Sequence, residues 1–306
     1  MDMNEKYQRI INHVNFENLW NTRLIFVGTG ASSHLIEWLC RLGFKKFTLI
    51  DIDIVEQKNL ATQNFTLEDV GSAKVTALAK RLEQLHFEKD NPNVPQLDVV
   101  TYHQDFLSMS DDEVMQGDEQ KVLILASDYH PVQAKGSRLS IKYDIPSFWV
   151  GIYREGMAGE IVFYDTADGD LPCYRCITQS RYSSFDSNWK KPKAGLGRSS
   201  GLPMAATLID SVLGHLIVGA VHVDDPDNQH GRLYKRLRCE GKNLIQMQFS
   251  PEYRLGTEDI FSQIYGKDVV TFNTLFQSEL KNHDCPDCQH FKNNMHTTST
   301  DYTRYL

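Results

Sequence analysis

Residues 24–34 read LIFVGTGASSH, a short apolar run closed by Gly28-Thr29-Gly30 and followed by apolar residues at helical spacing, Leu35, Ile36, Leu39 and Leu42. A buried strand that turns at once into a helix needs a glycine for the tight turn, and another where backbone approaches a phosphate. Gly28 and Gly30 meet both needs. The spacing predicts the opening of a Rossmann unit that binds a phosphate-bearing nucleotide at the helix N-terminus. The third glycine of G-x-G-x-x-G is replaced by Ser33, so the loop alone is a weak signal. A second strand, Phe47–Ile50, ends in Asp51-Ile52-Asp53, and Asp51 lies where a carboxylate accepts hydrogen bonds from ribose hydroxyls. Capping of a strand end is the structural alternative for the two carboxylates, and an NAD dehydrogenase is the ordinary reading of such an element.

The alternation continues. An amphipathic helix over residues 3–19 precedes the first strand, and a helix over 71–87 follows Gly71. Leu97–Tyr102 and Val122–Ala126 read as strands, the latter followed by Ser127-Asp128. Residues 131–143 read as a helix, and Ser147–Tyr153 and Glu160–Tyr164 as strands. Strands alternating with helices predict an α/β fold: a Rossmann-like, doubly wound, mostly parallel sheet. Past Cys176 the texture changes. Residues 178–201, rich in Ser, Lys, Gly and Arg, read as a mobile loop. An apolar helix follows over about Pro203–Val221, then two strands, Leu233–Cys239 and Asn243–Phe249, which predict an antiparallel extension. Residues 250–284 are polar and partly helical in pattern.

A net charge of −8 gives the 306-residue chain no basic face, so no nucleic-acid partner is expected. The N-terminus lacks an apolar signal core, and the longest apolar stretch, near Leu208–Val221, carries Asp210 and His215; no membrane association is expected, and the expected location is cytoplasmic.

In such a reducing compartment six cysteines argue against disulfides. Four of them form two C-x-x-C pairs, Cys173/Cys176 in PCYRC and Cys285/Cys288 in DCPDC. Each pair presents two thiolates from one turn, and two turns complete a tetrahedral zinc site. A redox pair is the alternative, but neither pair opens a helix after a strand. A site built from such distant segments clips them together. Cys40 reads as a core residue of the first Rossmann helix. Cys239 reads as a semi-buried structural thiol at a strand end, with a nucleophile as the alternative. The histidines His86, His103, His130, His215, His222 and His230 share no spacing and read as surface or satisfied core residues; His283 and His290 flank the second pair.

The run LIDIDIVEQKNLATQNFTLEDVGSAK, residues 49–74, resembles the L-[IV]-D-x-D…N-L-x-R-Q…G-x-x-K segment of the ThiF/MoeB family of ubiquitin-activating-enzyme-like adenylyltransferases. VGTGASS, LILASDYH, PCYRC and the second C-x-x-C follow the family order, covering about residues 5–250 and 285–288. The resemblance implies ATP and Mg2+ as cofactors, with the zinc structural. It implies adenylation of the C-terminal Gly-Gly carboxylate of a ubiquitin-like or sulfur-carrier protein, by a homodimer. Asp51 would hold the ribose, and Gly28, Gly30 and Asp53 would belong to the nucleotide site. Asn59 and Gln63 would lie near the triphosphate, Lys74 would contact the phosphates, and Asp128 would bind magnesium. Arg9 would reach into the partner subunit's nucleotide site. The implied organisation is an adenylation domain over 1–250 with a crossover loop at 178–201, an insertion at 251–284, and a segment 285–306 carrying the second C-x-x-C and the tail.

Two departures bear on activity. The arginine of N-L-x-R-Q is Thr62 here, and no arginine follows the Asp128 turn at once; Arg154 or Arg9 of the partner subunit would have to compensate. The crossover loop, Ile177–Met204, has no cysteine, so no enzyme thioester is expected there. Trp189, Phe185 and Tyr182 either grip a peptide tail or pack the loop. The rival to an enzyme is a dimeric nucleotide-binding scaffold that holds a ubiquitin-like partner with little turnover. A dehydrogenase would leave Lys74 and the thiols without a role.

Overall fold

The computed structural model describes residues 6–86, 91–153, 156–165, 171–188, 202–250, 260–265 and 272–288. Arg154, Trp189, the Phe185 side chain, His290, most of 251–271 and the tail 289–306 lie outside the described residues. The chain divides into two compact units, Met1–Ala126 with Asp210–Arg236, and Ser127–Ile209 with Leu237–Leu306.

In the first unit, helix α1 (Phe16–Asn21) leads into β1 (Thr22–Val27), followed by α2 (Ser33–Leu42), β2 (Lys46–Ile50), α3 (Lys74–Leu85), β3 (Asp98–Tyr102), the one-turn α4 (Asp111–Val114) and β4 (Gln120–Leu125). The strand order is β3-β2-β1-β4, with all three pairings parallel. Every residue of β1 is buried, as a central parallel strand covered on both faces requires. Strand order reverses between β1 and β4. The carboxyl ends of these two strands are therefore the switch point at which open α/β sheets bind ligands.

The second unit holds α5 (His130–Tyr143), β5 (Ser147–Ile152), β6 (Ala158–Tyr164), α6 (Tyr174–Ile177) and α7 (Gln179–Asn188). Helices α8 (Pro203–Val221) and α9 (Gln229–Cys239) each run from one unit's residues into the other's. The second unit then continues with β7 (Leu244–Gln248), α10 (Ile260–Tyr265) and β8 (Asn273–Gln277). Strands β5 to β8 pair antiparallel in sequence order. The Rossmann-type α/β architecture with an antiparallel C-terminal part is as the sequence predicts.

Five details differ from expectation. Cys173 is the N-cap of α6, which follows β6 in the chain, so one C-x-x-C pair does open a helix after a strand. The helix over 3–19 does not form as one piece: residues 8–13 are turns, and α1 begins only at Phe16. The Asn15 N–H is taken by His222 Nε2 at 2.7 Å and the His13 carbonyl by Asn228 Nδ2 at 2.9 Å, so tertiary partners claim the groups a continuous helix would use. The strand expected at Leu233–Cys239 is the helix α9. Asn228 Oδ1 accepts from the backbone of His230 and Gly231 and starts it, and Tyr234, Leu237 and Arg238 form its buried stripe. Part of the expected loop 178–201 is the helix α7. Residues 273–277 form β8, an edge strand that their polar composition did not suggest.

Helix α8 is long and apolar enough to cross a membrane by length and composition, yet 56% of its most apolar window is buried. Its Gly219 explains part of that packing. A Cβ there would lie 2.7 Å from both the His230 carbonyl oxygen and Tyr234 Cβ, so only glycine lets α8 and α9 approach this closely.

Candidate active site and thiol cluster

The first unit builds a loop site from backbone geometry and one carboxylate. Gly28 sits at φ +87°, a conformation that favours glycine, and its N–H bonds to the Ile50 carbonyl at 2.9 Å. Asp51, at the tip of β2, accepts from the Thr29 N–H at 2.7 Å and the Thr29 hydroxyl at 3.0 Å through Oδ2. Its Oδ1 accepts from the Asp53 N–H at 2.9 Å. The carboxylate thus fixes the glycine loop, and Oδ1 keeps acceptor capacity for one more donor, such as a sugar hydroxyl. Capping and ligand binding are both within reach of this one side chain.

Ser33, which replaces the third fingerprint glycine, is fully buried and accepts the Asn64 N–H at 2.8 Å. Asn64 Nδ2 donates to Glu37 Oε2 at 2.6 Å, which ties the loop after β2 to α2. Gln63 lies over the glycine turn: a Cβ on Gly30 would stand 3.0 Å from its amide nitrogen. Asn59 turns inward and caps its own short helix, accepting the Glu56 N–H at 2.8 Å. Lys74, the first residue of α3, buries its side chain to 7% exposure, and its Nζ donates to Asp53 Oδ2 at 2.9 Å. An ammonium held at a helix N-terminus opposes the helix dipole. It is kept there by a carboxylate that is half exposed and that a phosphate can replace as its partner. Arg9 is exposed in the turn after Tyr7.

The chain leaves β4 through Ala126, whose N–H bonds to the Val27 carbonyl at 2.8 Å, and enters the second unit at Ser127. Asp128 is exposed there. Gln133 Nε2 donates to the Ser127 carbonyl at 2.8 Å, and the Tyr129 N–H to Ser127 Oγ at 3.2 Å. His130 opens α5. Burial, together with Arg181, Arg175 and Arg138, pushes its imidazole down to about 4, so it is neutral near pH 7.

The two C-x-x-C pairs, 112 residues apart, converge. Sulfur–sulfur distances are 3.7 Å for Cys173–Cys176, 3.6 Å for Cys173–Cys285 and 3.7 Å for Cys176–Cys288, and all four sulfurs lie within 4.8 Å of one another. A tetrahedral ion with metal–sulfur bonds of about 2.3 Å has sulfur–sulfur edges of about 3.8 Å, so the cluster has the dimensions of a closed zinc site and not of disulfides. Four thiolates this close would repel one another, so a divalent cation is what would let all four act as ligands.

Residues between the cysteines join the two turns. Asp287, 1% exposed, faces Arg175 Nη1 at 3.2 Å and Arg138 Nε at 3.6 Å. Burial pushes its carboxyl up, and the two arginines oppose that rise. Neither Arg175 nor Asp287 stands out in the sequence, because their pairing exists only once the cysteines meet.

The remaining thiols separate cleanly. Cys40 is buried in α2, as expected; Cys239 is exposed and ends a helix, not a strand, so it is not the semi-buried thiol expected. His215 and His230, without sequence spacing in common, stack across α8 and α9 with centroids 5.0 Å apart.

Comparison with known proteins places these features. Residues 3–235 match the ThiF family. The chain is 30% identical over 162 residues to the SAMP-activating enzyme E1 of Haloferax volcanii, covering 52% of this chain and 54% of that protein. It is 24% identical over 166 residues to the ubiquitin-like modifier-activating enzyme 5 of Drosophila virilis, covering 53% and 40%. The chain spans about half the length of these curated relatives. Among solved structures, E. coli MccB with ATP superposes with a TM-score of 0.58 at 15% identity over 89% of this chain and 68% of that one. SeMet PaaA does so with a TM-score of 0.56 at 18% identity, over 84% and 83%. These structural likenesses speak for the fold. With the match over 3–235 spanning most of its length, the chain belongs to the ThiF family.

Proposed function

We propose that this protein is an ATP-dependent adenylyltransferase acting on the C-terminal carboxylate of a ubiquitin-like or sulfur-carrier protein. The observation that carries the reading is the Asp51–Thr29–Asp53–Lys74 arrangement around the glycine turn, which offers a sugar anchor, a close-approach backbone and a buried cation in one loop system. The Haloferax and Drosophila relatives, activating enzymes by name, support the same class.

In this mechanism the incoming carboxylate is already ionised at neutral pH and needs no base. One of its oxygens attacks the α-phosphorus, and the bond from that phosphorus to the bridging oxygen breaks, releasing pyrophosphate and the acyl adenylate. Asp51 holds the ribose and keeps the glycine turn in shape. Gly28 and Gly30 let backbone N–H groups come near the phosphates, and Gln63 closes over them. Lys74 exchanges Asp53 for a phosphate and offsets the charge that builds on the leaving group. Asp128, a hard oxygen donor just past β4, suits magnesium, which supplies further neutralisation when bound with nucleotide. Cys173, Cys176, Cys285 and Cys288 suit a structural zinc. Arg9 is proposed to complete the nucleotide site of a second subunit in a homodimer.

The test is ATP–pyrophosphate exchange with a small protein ending in Gly-Gly. Asp128→Ala should remove exchange by at least about 10²-fold, and Thr62→Ala should change it far less. Near-normal exchange by the Asp128 variant refutes the magnesium role. Wild-type protein that binds nucleotide and partner without exchange is instead the dimeric scaffold that Thr62 hints at.

The acyl adenylate is proposed to pass to an external nucleophile without an enzyme thioester. The cluster would hold four thiols, Cys40 is buried, and Cys239 sits at a helix C-terminus, where the partial negative charge gives an anionic nucleophile no support. A thiol-sensitive adduct on a non-reducing gel that vanishes in Cys239→Ala would reverse this reading.

A further inference from the structure

We propose that the cysteine clip is a positioning device for the Asp128 turn, acting through the two residues that lie between Cys173 and Cys176. This rests on Asp128 as the magnesium ligand. Tyr174 and Arg175 leave the same turn and reach opposite ends of the same loop. The Tyr174 hydroxyl donates to Gln133 Oε1, and Gln133 Nε2 donates at 2.8 Å to the carbonyl of Ser127, the residue before Asp128. Tyr174 is fully buried, its ring stacked on Trp149 at 4.9 Å, and Trp149 Nε1 donates to the Gln133 carbonyl at 3.0 Å. Gln133 is therefore held at its backbone and at both ends of its amide.

The second route uses rings. The Arg175 guanidinium lies 4.5 Å from the centre of the Tyr182 ring, and Tyr182 meets His130 edge-on at 4.5 Å. His130 stands two residues after Asp128. Asp287, between the other two cysteines, accepts from Arg175 Nη1 at 3.2 Å. Each C-x-x-C turn thus contributes an inner residue to the same relay. Asp128 itself is exposed, so its carboxylate owes its aim to the turn that carries it, and that turn is pinned on both sides by groups anchored in the clip.

The consequence is that clip and turn are coupled: weakening the link should raise the magnesium needed for nucleotide binding without emptying the clip. Tyr174→Phe keeps the ring and its stacking and removes one hydroxyl; Gln133→Leu keeps approximate shape and removes both amide contacts. The experiment is calorimetric titration of ATP into the full chain over a series of magnesium concentrations, with zinc content measured on the same samples. Both variants should keep full zinc and the wild-type affinity for magnesium-free ATP. Half-saturating magnesium should rise about tenfold in Tyr174→Phe, the effect of losing one buried hydrogen bond, and at least as much in Gln133→Leu, which loses two. Unchanged magnesium dependence in either zinc-replete variant overturns the relay. Wild-type protein that binds no nucleotide overturns the functional reading as well, which separates the two failures.

Discussion

The two units solve the placing of charged groups in different ways. The first gathers Gly28, Gly30, Asp51, Asp53 and Lys74 from one continuous stretch and holds them with backbone N–H groups and two carboxylates, Asp51 on the loop and Asp53 on Lys74. The second brings together pieces 112 residues apart and holds them with four sulfurs and a buried Arg138–Asp287–Arg175 group. A site made from a strand end and a helix start gets its geometry from regular structure and can leave its cation half engaged, ready for a ligand. A site made from two remote turns has no such scaffold and needs a strong cross-link of its own. Stability should thus be concentrated in the second arrangement and chemistry in the first.

The sharpest break in that comparison comes from the thiols. Cys285→Ser should lose bound zinc and cost about 3–5 kcal/mol of stability, because three clustered sulfurs are left buried without the cation that compensates them. Metal analysis beside denaturant unfolding reads both. Wild-type protein free of zinc, with stability matching the variant, would end the idea of a structural metal.

Lys74→Ala should behave in the opposite way. Its partner Asp53 is half exposed, so stability should fall by no more than about 1 kcal/mol, while pyrophosphate exchange should drop about 10²-fold or more. A large loss of stability with exchange intact would make Lys74 a structural residue.

The smallest effects separate the units by pH. In the first unit, burial alone would push the Glu119 carboxyl up, but its contact with Arg23 overrides this and holds it below 4.5. The folded state thus favours the ionised form. That stabilisation is present above pH 4.5 and is lost as pH falls through the lowered value. In the second unit, burial and then Glu160 raise the Tyr153 hydroxyl above 10.0, so the folded state favours the protonated phenol. Its contribution is present below pH 10 and is lost as pH rises beyond it. Glu119→Gln should flatten only the acid limb of the unfolding midpoint and Tyr153→Phe only the alkaline limb. Equal slopes in wild type and variant would remove the attribution.

Sequence legibility follows the same division. The first three strands, α2, α3 and the loop from Gly28 to Lys74 are readable because local backbone demands write them: a glycine at positive φ, a carboxylate at a strand tip, apolar residues at helical spacing. The cysteines are readable because their spacing is their geometry. What escapes is tertiary. Thr29 as the donor to Asp51 looks like any loop threonine. Leu233 to Cys239 is short enough to pass for a strand, and the Asn228 cap and the close approach at Gly219 that accompany the helix are tertiary features. The split of the 3–19 helix depends on His222 and Asn228, more than 200 residues away. Tyr174 and Gln133 carry no signal until their partners are in place, and Tyr182, read either as a peptide grip or as loop packing, is buried.

The 112-residue gap between the halves of the thiol cluster also has a consequence in time. At about 5–20 residues per second of synthesis, Cys173 and Cys176 wait about 6–22 s before Cys285 and Cys288 exist. During that interval the first pair is an open, two-armed thiol exposed to oxidants and to competing metal ions. The nascent chain is thus vulnerable at one definable moment, and cells short of zinc or rich in peroxide should lose this protein during its making more readily than after it.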